Sequence, residues 1–65
     1  MPIISATILS GRTREQKSAF IREVTQAAVA TLAVQPQQVR VIIQEVAPEH
    51  WGVAGVTKAD AEGGA

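Results

Sequence analysis

The sequence contains no cysteine, which excludes disulfide bonds and thiolate metal ligands. Its single histidine, His50, and a few scattered carboxylates form no metal-binding cluster, so we expect neither a metal nor a cofactor. Six Lys and Arg residues balance six Asp and Glu residues, without the clustered positive charge that binds nucleic acid phosphates. The apolar runs are far shorter than the roughly 20 residues of a membrane span. We therefore expect no nucleic acid partner and no membrane contact.

The size and composition of the chain predict an oligomer. A single domain over residues 1–65 buries only about 60% of the surface that its unfolded chain exposes. Folds this small usually require disulfides, a metal or association. Since the first two are excluded and 46% of the residues are hydrophobic, association remains. The segment MPIISATILSGR lacks the basic n-region of a signal peptide, so we expect a cytoplasmic protein.

Two strands and one long helix are predicted in the first 46 residues. Residues 2–9 are mostly apolar and β-branched, which is typical of a buried strand. Thr13, followed three residues later by Gln16, is a capping box, and a helix is predicted from there to about Ala33. The segment VRVIIQEV, residues 39–46, predicts the second strand. The helix carries one apolar stripe, formed by Phe20, Ile21, Val24, Ala28 and Leu32.

The order strand, helix, strand predicts a βαβ unit with parallel strands and a right-handed crossover. Residues 53–57, with Gly55 at their centre, predict a short β-hairpin. We expect an α+β fold with an ordered core over residues 2–57 and a tail over residues 58–65.

This topology constrains where charged residues can meet. Both strands begin at the same edge of the sheet, so Pro2 and Arg40 are predicted to lie together. The stretch from Pro2 to Leu9 spans roughly 23 Å, so Arg12 cannot easily reach Pro2 of its own chain. If two chains pair their first strands antiparallel, Arg12 of one approaches Pro2 of the other. A site that uses both residues must then form between subunits.

Pro2 is the first candidate for a chemical role. Removal of Met1 leaves a secondary amine at the edge of an apolar strand. An α-amino group has a pKa near 8 in model peptides, and burial or a nearby arginine disfavours its charged form. Such an amine suits a general base at neutral pH. The alternative is that proline is simply common at position 2.

Arg12 and Arg40 are the second pair of candidates, because arginine binds carboxylates bidentately and stabilises developing negative charge. The alternative for Arg40 is an edge-strand role or a salt bridge with Glu23 or Glu45. Trp51 is predicted to be either a pocket wall or an apolar plug at a subunit contact. His50 is expected to be exposed or structural, and Glu45 and Glu49 are ordinary surface carboxylates.

Taken together, these residues closely resemble the 4-oxalocrotonate tautomerase family over residues 2–57. The resemblance is carried by Pro2 and by four segments in order: LSGRTREQK, FIREVTQA, VRVIIQEV and HWG. It implies a βαβ subunit with a C-terminal hairpin, assembled as a homohexamer that is a trimer of dimers. It also implies a small dienol or oxo-acid substrate. The N-terminal proline would move a proton between an enol hydroxyl and a carbon of a conjugated 2-hydroxydienoate.

The resemblance also implies roles for individual residues. Arg12 matches the arginine that binds the distal carboxylate, and Arg40 matches the one that holds the carboxylate and oxygen at the 2-hydroxy end. Leu9 and Ile3 match apolar pocket positions, and Trp51 stands where the family usually has phenylalanine.

Related dehalogenases and hydratases add a carboxylate and a second arginine at positions that correspond here to the apolar Val53 and Leu9. Simple proton transfer is therefore expected rather than water addition.

Three functions follow as hypotheses. The first is an isomerase that converts 2-hydroxymuconate or a similar dienol to its conjugated ketone. The second is a promiscuous tautomerase for another enol, such as phenylenolpyruvate. The third is a non-catalytic subunit of a hetero-oligomer whose partner chain performs the reaction.

Overall fold

The computed structural model of the protein describes residues 1–62. A long helix and a parallel strand pair make up the first three quarters of the chain, and a small hairpin and a short helix follow. Two 3₁₀ turns, Pro36–Gln38 and Pro48–His50, each begin with a proline at the first helical position, where the missing N–H is not needed. The other elements are β1 (Ile3–Leu9), α1 (Arg14–Leu32), β2 (Arg40–Val46), β3 (Gly52–Val53), β4 (Val56–Thr57) and α2 (Lys58–Ala61).

β1 and β2 pair in parallel over their full length. The register runs from Ile3 opposite Arg40 to Leu9 opposite Val46. The predicted α+β subunit with a parallel strand pair is confirmed, and so is the C-terminal hairpin. Because β1 has β2 on one edge only, its other edge has no strand partner within residues 1–62.

The capping box predicted at the start of α1 is present. The Thr13 hydroxyl accepts a hydrogen bond of 3.0 Å from the Gln16 amide, and the Gln16 side chain accepts one of 3.0 Å from the Thr13 amide. The helix ends at Leu32, and the C-cap residue Ala33 has a left-handed φ of 55°. The predicted start of α1 at the Thr13 capping box and its predicted end near Ala33 are both confirmed.

The apolar stripe of α1 is only partly covered within one chain. Ala28 is buried and Val24 is half-buried, whereas Phe20, Ile21 and Leu32 remain exposed. The physical reason is width: two strands lie about 4.8 Å apart, whereas a helix with its side chains is about 10 Å across. A two-stranded sheet is too narrow to cover the stripe.

On the open face of the sheet, Ile3 and Ile42 are two further exposed apolar side chains, 63% and 50% exposed. The chain is flat and long, with extents of 47 × 24 × 14 Å, and its radius of gyration is 15.2 Å. A compact domain of this length has a radius of gyration of about 11 Å. The chain alone thus leaves apolar surface uncovered on two sides, as the prediction of an oligomer requires.

The hairpin joins Gly52–Val53 to Val56–Thr57 in antiparallel register. Its two turn residues, Ala54 and Gly55, have φ of 54° and 82°. Positive φ at both central positions is the signature of a type I′ turn, whose twist matches that of the flanking strands.

The tail expected over residues 58–65 needs correction at its start, because Lys58–Ala61 form helix α2. The Thr57 hydroxyl caps it by accepting a hydrogen bond of 3.1 Å from the Asp60 amide. Residues 63–65 lie outside the described part of the chain, and the single domain over residues 1–65 stays a prediction. Neither α1 nor α2 is long and apolar enough to cross a membrane.

Candidate active site

Pro2 and Arg40 lie together at the start of the parallel strand pair. The Arg40 amide donates a hydrogen bond of 3.0 Å to the Pro2 carbonyl oxygen, one step before the strand register begins at Ile3. Pro2 is half-buried there, and Ile3 next to it is exposed on the open sheet face. The structure thus brings three of the predicted site residues to one edge of the sheet.

The Arg40 guanidinium is directed by the turn that precedes β2. Its Nη1 donates to the Gln37 carbonyl at 2.6 Å and to the Val39 carbonyl at 3.5 Å. The salt bridge considered for Arg40 is absent in residues 1–62. Glu45 instead pairs with Lys17 at 3.2 Å, and Glu23 pairs with Arg22 at 3.6 Å. The exposed guanidinium therefore retains N–H groups that can bind an anion.

Arg12 lies at the opposite end of β1, in the loop that leads to α1. Gly11 gives this loop its turn through a φ of 117°, which side chains rarely adopt. The Ser10 amide holds the loop to the end of β2 by donating to the Val46 carbonyl at 2.9 Å. Within residues 1–62 the Arg12 guanidinium forms no salt bridge and no hydrogen bond. It is a cation available to a ligand.

Two clefts adjoin Arg12. The first, of about 260 Å³, lies between the sheet and α1, where Ile8, Phe20 and Ile43 line it. The second, of about 230 Å³, lies below α2, where Leu9 and Lys58 line it. Each cleft combines apolar walls with at least one cation, which suits a small organic anion.

Trp51 lies at the Arg12 end of the sheet. It is half-buried and follows the 3₁₀ turn after β2, and its carbonyl accepts a hydrogen bond of 2.7 Å from the Lys58 amide. The six predicted site residues thus divide into two groups, Pro2, Ile3 and Arg40 at one end and Leu9, Arg12 and Trp51 at the other. One chain does not unite them, since β1 separates the groups by roughly 23 Å.

Lys58 and Glu62 are cleft residues that the sequence analysis did not select. Thr57 followed three residues later by Asp60 is the signature of a helix start and could have predicted α2. A side chain pairing of Lys58 with Glu62 at 3.2 Å then follows from their spacing of four residues. Residues 1–62 contain no group of three or more His, Cys, Asp or Glu side chains arranged to hold a metal.

The sequence model of the Tautomerase family, described as a tautomerase enzyme, matches residues 2–61. The chain belongs to the tautomerase family. A probable tautomerase of Ralstonia nicotianae is 58% identical over 62 residues, which are 95% of this chain and 89% of that protein. The family membership expected from Pro2 and the four segments is thereby confirmed.

Solved structures agree with the tautomerase fold. A structure from work on the 4-oxalocrotonate tautomerase isozymes of Methylibium petroleiphilum superimposes with a TM-score of 0.93 and 47% identity, covering 98% of this chain and all of that one. A heterohexamer 4-oxalocrotonate tautomerase of Chloroflexus aurantiacus gives a TM-score of 0.88 at 43% identity, with 92% and 97% coverage. The roles of individual residues in this tautomerase family member stay predictions.

Proposed function

We propose that this chain is an isomerase that moves a proton in 2-hydroxydienoates such as 2-hydroxymuconate, with the Pro2 amine as general base after removal of Met1. The observation that carries the proposal is the contact between Pro2 and Arg40 at the start of the strand pair. A base and an anion-binding group are thereby held at one edge. Membership of the tautomerase family supports the reaction class.

The proposed reaction is a proton transfer with no net gain or loss of atoms. The Pro2 nitrogen accepts the proton of the 2-hydroxyl group, the enol oxygen becomes a ketone, and the proton is returned to a carbon of the conjugated chain. Arg40 binds the adjacent carboxylate and oxygen, where it stabilises the negative charge that develops during transfer. Arg12 of a neighbouring chain binds the distal carboxylate in a bidentate arrangement.

We propose that the neighbouring chain joins through the unpaired edge of β1. Antiparallel pairing of two β1 strands places Arg12 of one chain near Pro2 of the other, and Leu9 and Trp51 arrive with Arg12 as pocket walls. The exposed Ile42 face provides a further association surface, which supports a homohexamer built as a trimer of dimers. The cytoplasmic location stays a prediction.

Two alternatives keep specific support. Trp51 presents a larger aromatic surface than phenylalanine, which favours an aromatic enol such as phenylenolpyruvate. The Chloroflexus aurantiacus relative is a heterohexamer, which supports a role as a non-catalytic subunit that needs a second type of chain.

A substrate comparison and a mass measurement test the proposal together. Ultraviolet kinetics on 2-hydroxymuconate and phenylenolpyruvate should give a higher kcat/KM for the dicarboxylate, and native mass spectrometry should give a hexamer of one chain type. A preference for phenylenolpyruvate would favour the first alternative. Activity that appears only after mixing with a second chain would favour the second.

A further inference from the structure

The cleft below α2 contains a second cation that no role has yet been assigned to. We call it the α2 cleft; it is lined by Leu9, Gly11, Arg12, Pro48, Lys58 and Glu62 among others, and its volume is about 230 Å³. Leu9 and Arg12 already belong to the proposed substrate site. Lys58 therefore faces the same space as the arginine proposed to bind the distal carboxylate.

Backbone hydrogen bonds fix Lys58 in this place. The Lys58 amide donates to the Trp51 carbonyl at 2.7 Å, and the Lys58 carbonyl accepts from the Glu62 amide at 3.1 Å. The Thr57 hydroxyl holds the first turn of α2 by accepting from Asp60. The position of Lys58 thus depends on the short helix and not on a loose chain end.

The charges in the α2 cleft favour an incoming carboxylate. Arg12 has no ionic partner within residues 1–62, and the Lys58 ammonium lies 3.2 Å from the Glu62 carboxylate. The Lys58 and Glu62 side chains are 40% and 62% exposed, and exposed ion pairs are weak. A ligand carboxylate that gains Arg12 and Lys58 together can therefore displace Glu62 at little cost.

We propose that Lys58 is a second cation for the distal carboxylate of the substrate and that Glu62 competes with that carboxylate for the Lys58 ammonium. This inference rests on the proposed function and deepens it, because it assigns selectivity for dicarboxylates over monocarboxylates to a pair of residues on α2. Arg12 supplies a planar guanidinium that can bind the carboxylate bidentately, and Lys58 supplies a point charge on a flexible side chain.

Binding of two unreactive acids tests the proposal without turnover. Muconate carries two carboxylates, and sorbate is the corresponding acid with one. By calorimetry, Lys58→Met should weaken muconate binding by about two- to fivefold, the range for one exposed ion pair, and leave sorbate binding unchanged. Glu62→Gln should instead tighten muconate binding, because it removes the competing carboxylate.

Two control variants separate a local contact from net charge. Lys58→Arg keeps the cation and should retain most of the preference for muconate. Arg22→Gln removes one positive charge from α1 at a residue that lines a different cleft, with Val29 and Pro36, and should leave the binding of both acids unchanged.

The proposal would be overturned if Lys58→Met bound muconate as tightly as wild type does, or if the substitution weakened the binding of muconate and of sorbate equally. Kinetics separate this failure from failure of the proposed function. Suppose that Lys58→Met loses the preference for muconate but the wild-type protein does not turn over 2-hydroxymuconate. That result would support the role of Lys58 in binding and contradict only the isomerase proposal. Normal wild-type turnover with an unchanged preference in Lys58→Met would contradict only Lys58.

Discussion

The amide of Arg40 and the carbonyl oxygen of Pro2 are joined by a hydrogen bond of 3.0 Å. Both atoms belong to the backbone, so the bond persists when either side chain is replaced. The first strand and the second are thereby aligned at the end where the amine and the guanidinium would act. Substitutions at these two positions can test chemistry with little effect on the strand pairing.

Replacement of Arg40 should impair catalysis more than folding. Arg40→Gln removes the cation that stabilises charge on the substrate oxygen, and we expect kcat/KM to fall by about 100-fold. Arg40→Lys keeps the charge but lacks the planar guanidinium, and its kcat/KM should lie between those of wild type and Arg40→Gln. The measurement is ultraviolet kinetics beside thermal unfolding at one protein concentration. Wild-type kinetics in Arg40→Gln would contradict the role assigned to Arg40.

Mixing two inactive variants should restore activity if the site is shared between chains. Pro2→Ala and Arg12→Gln each damage every site on their own. When the two variants are co-assembled in equal amounts, each site draws its Pro2 from one chain and its Arg12 from another. Each of these residues is intact in about half of the cases, so about one quarter of the sites have both intact. Recovery of about that fraction of wild-type activity is expected after unfolding and refolding the mixture. No recovery would place Pro2 and Arg12 of each site in the same chain.

The exposed sheet face should be needed for assembly. Ile42→Asp replaces an exposed apolar side chain with a charge on a face that is expected to be buried between subunits, where an unpaired charge is strongly unfavourable. We expect native mass spectrometry to show smaller species and the activity to fall with them. Gln26→Glu, on the exposed side of α1, is the matched control and should assemble normally. An Ile42→Asp protein that assembles as wild type does would exclude this face from the interface.

The hairpin turn offers a stability test. Ala54 adopts a left-handed conformation that costs a residue with a side chain about 1–2 kcal/mol, whereas glycine tolerates it. Glycine also gains freedom in the unfolded chain, which offsets part of this gain. The net expectation is that Ala54→Gly stabilises the protein by about 0.5–1 kcal/mol. Ala30→Gly, inside α1, should destabilise it by about 1 kcal/mol. Thermal unfolding of both at one protein concentration measures this, and a lower Tm for Ala54→Gly would contradict the turn assignment.

Much of the fold was predictable because its signals are local. Thr13 and Gln16 specify the start of α1 through their own hydrogen bonds, and the β-branched run of residues 39–46 specifies β2. Helix α2 was missed since four residues are too few to show an apolar period, which leaves only Thr57 and Asp60 to mark its start. The exposure of Phe20 and Leu32 was also missed, because an apolar stripe does not reveal whether its cover comes from the same chain.

The candidate site was predictable only where topology alone decides it. Parallel strands begin at one edge, which places Pro2 beside Arg40 without any knowledge of side chains. The contact of the Arg40 guanidinium with the Gln37 carbonyl depends on the 3₁₀ turn before β2, and no pattern in the sequence indicates it. The same holds for Lys58, which lines the α2 cleft with Arg12 because α2 packs beside the 3₁₀ turn Pro48–His50.

The most direct test of the account compares three N-termini by ultraviolet kinetics on 2-hydroxymuconate, with intact mass confirming each. A chain that begins at Pro2 should be active. Pro2→Ala should lose about 100-fold or more, in the range of general base catalysis. A chain with a glycine inserted before Pro2, whose nitrogen is then an amide, should lose activity as fully. Equal rates for all three would contradict the account, because no step would then depend on the Pro2 amine.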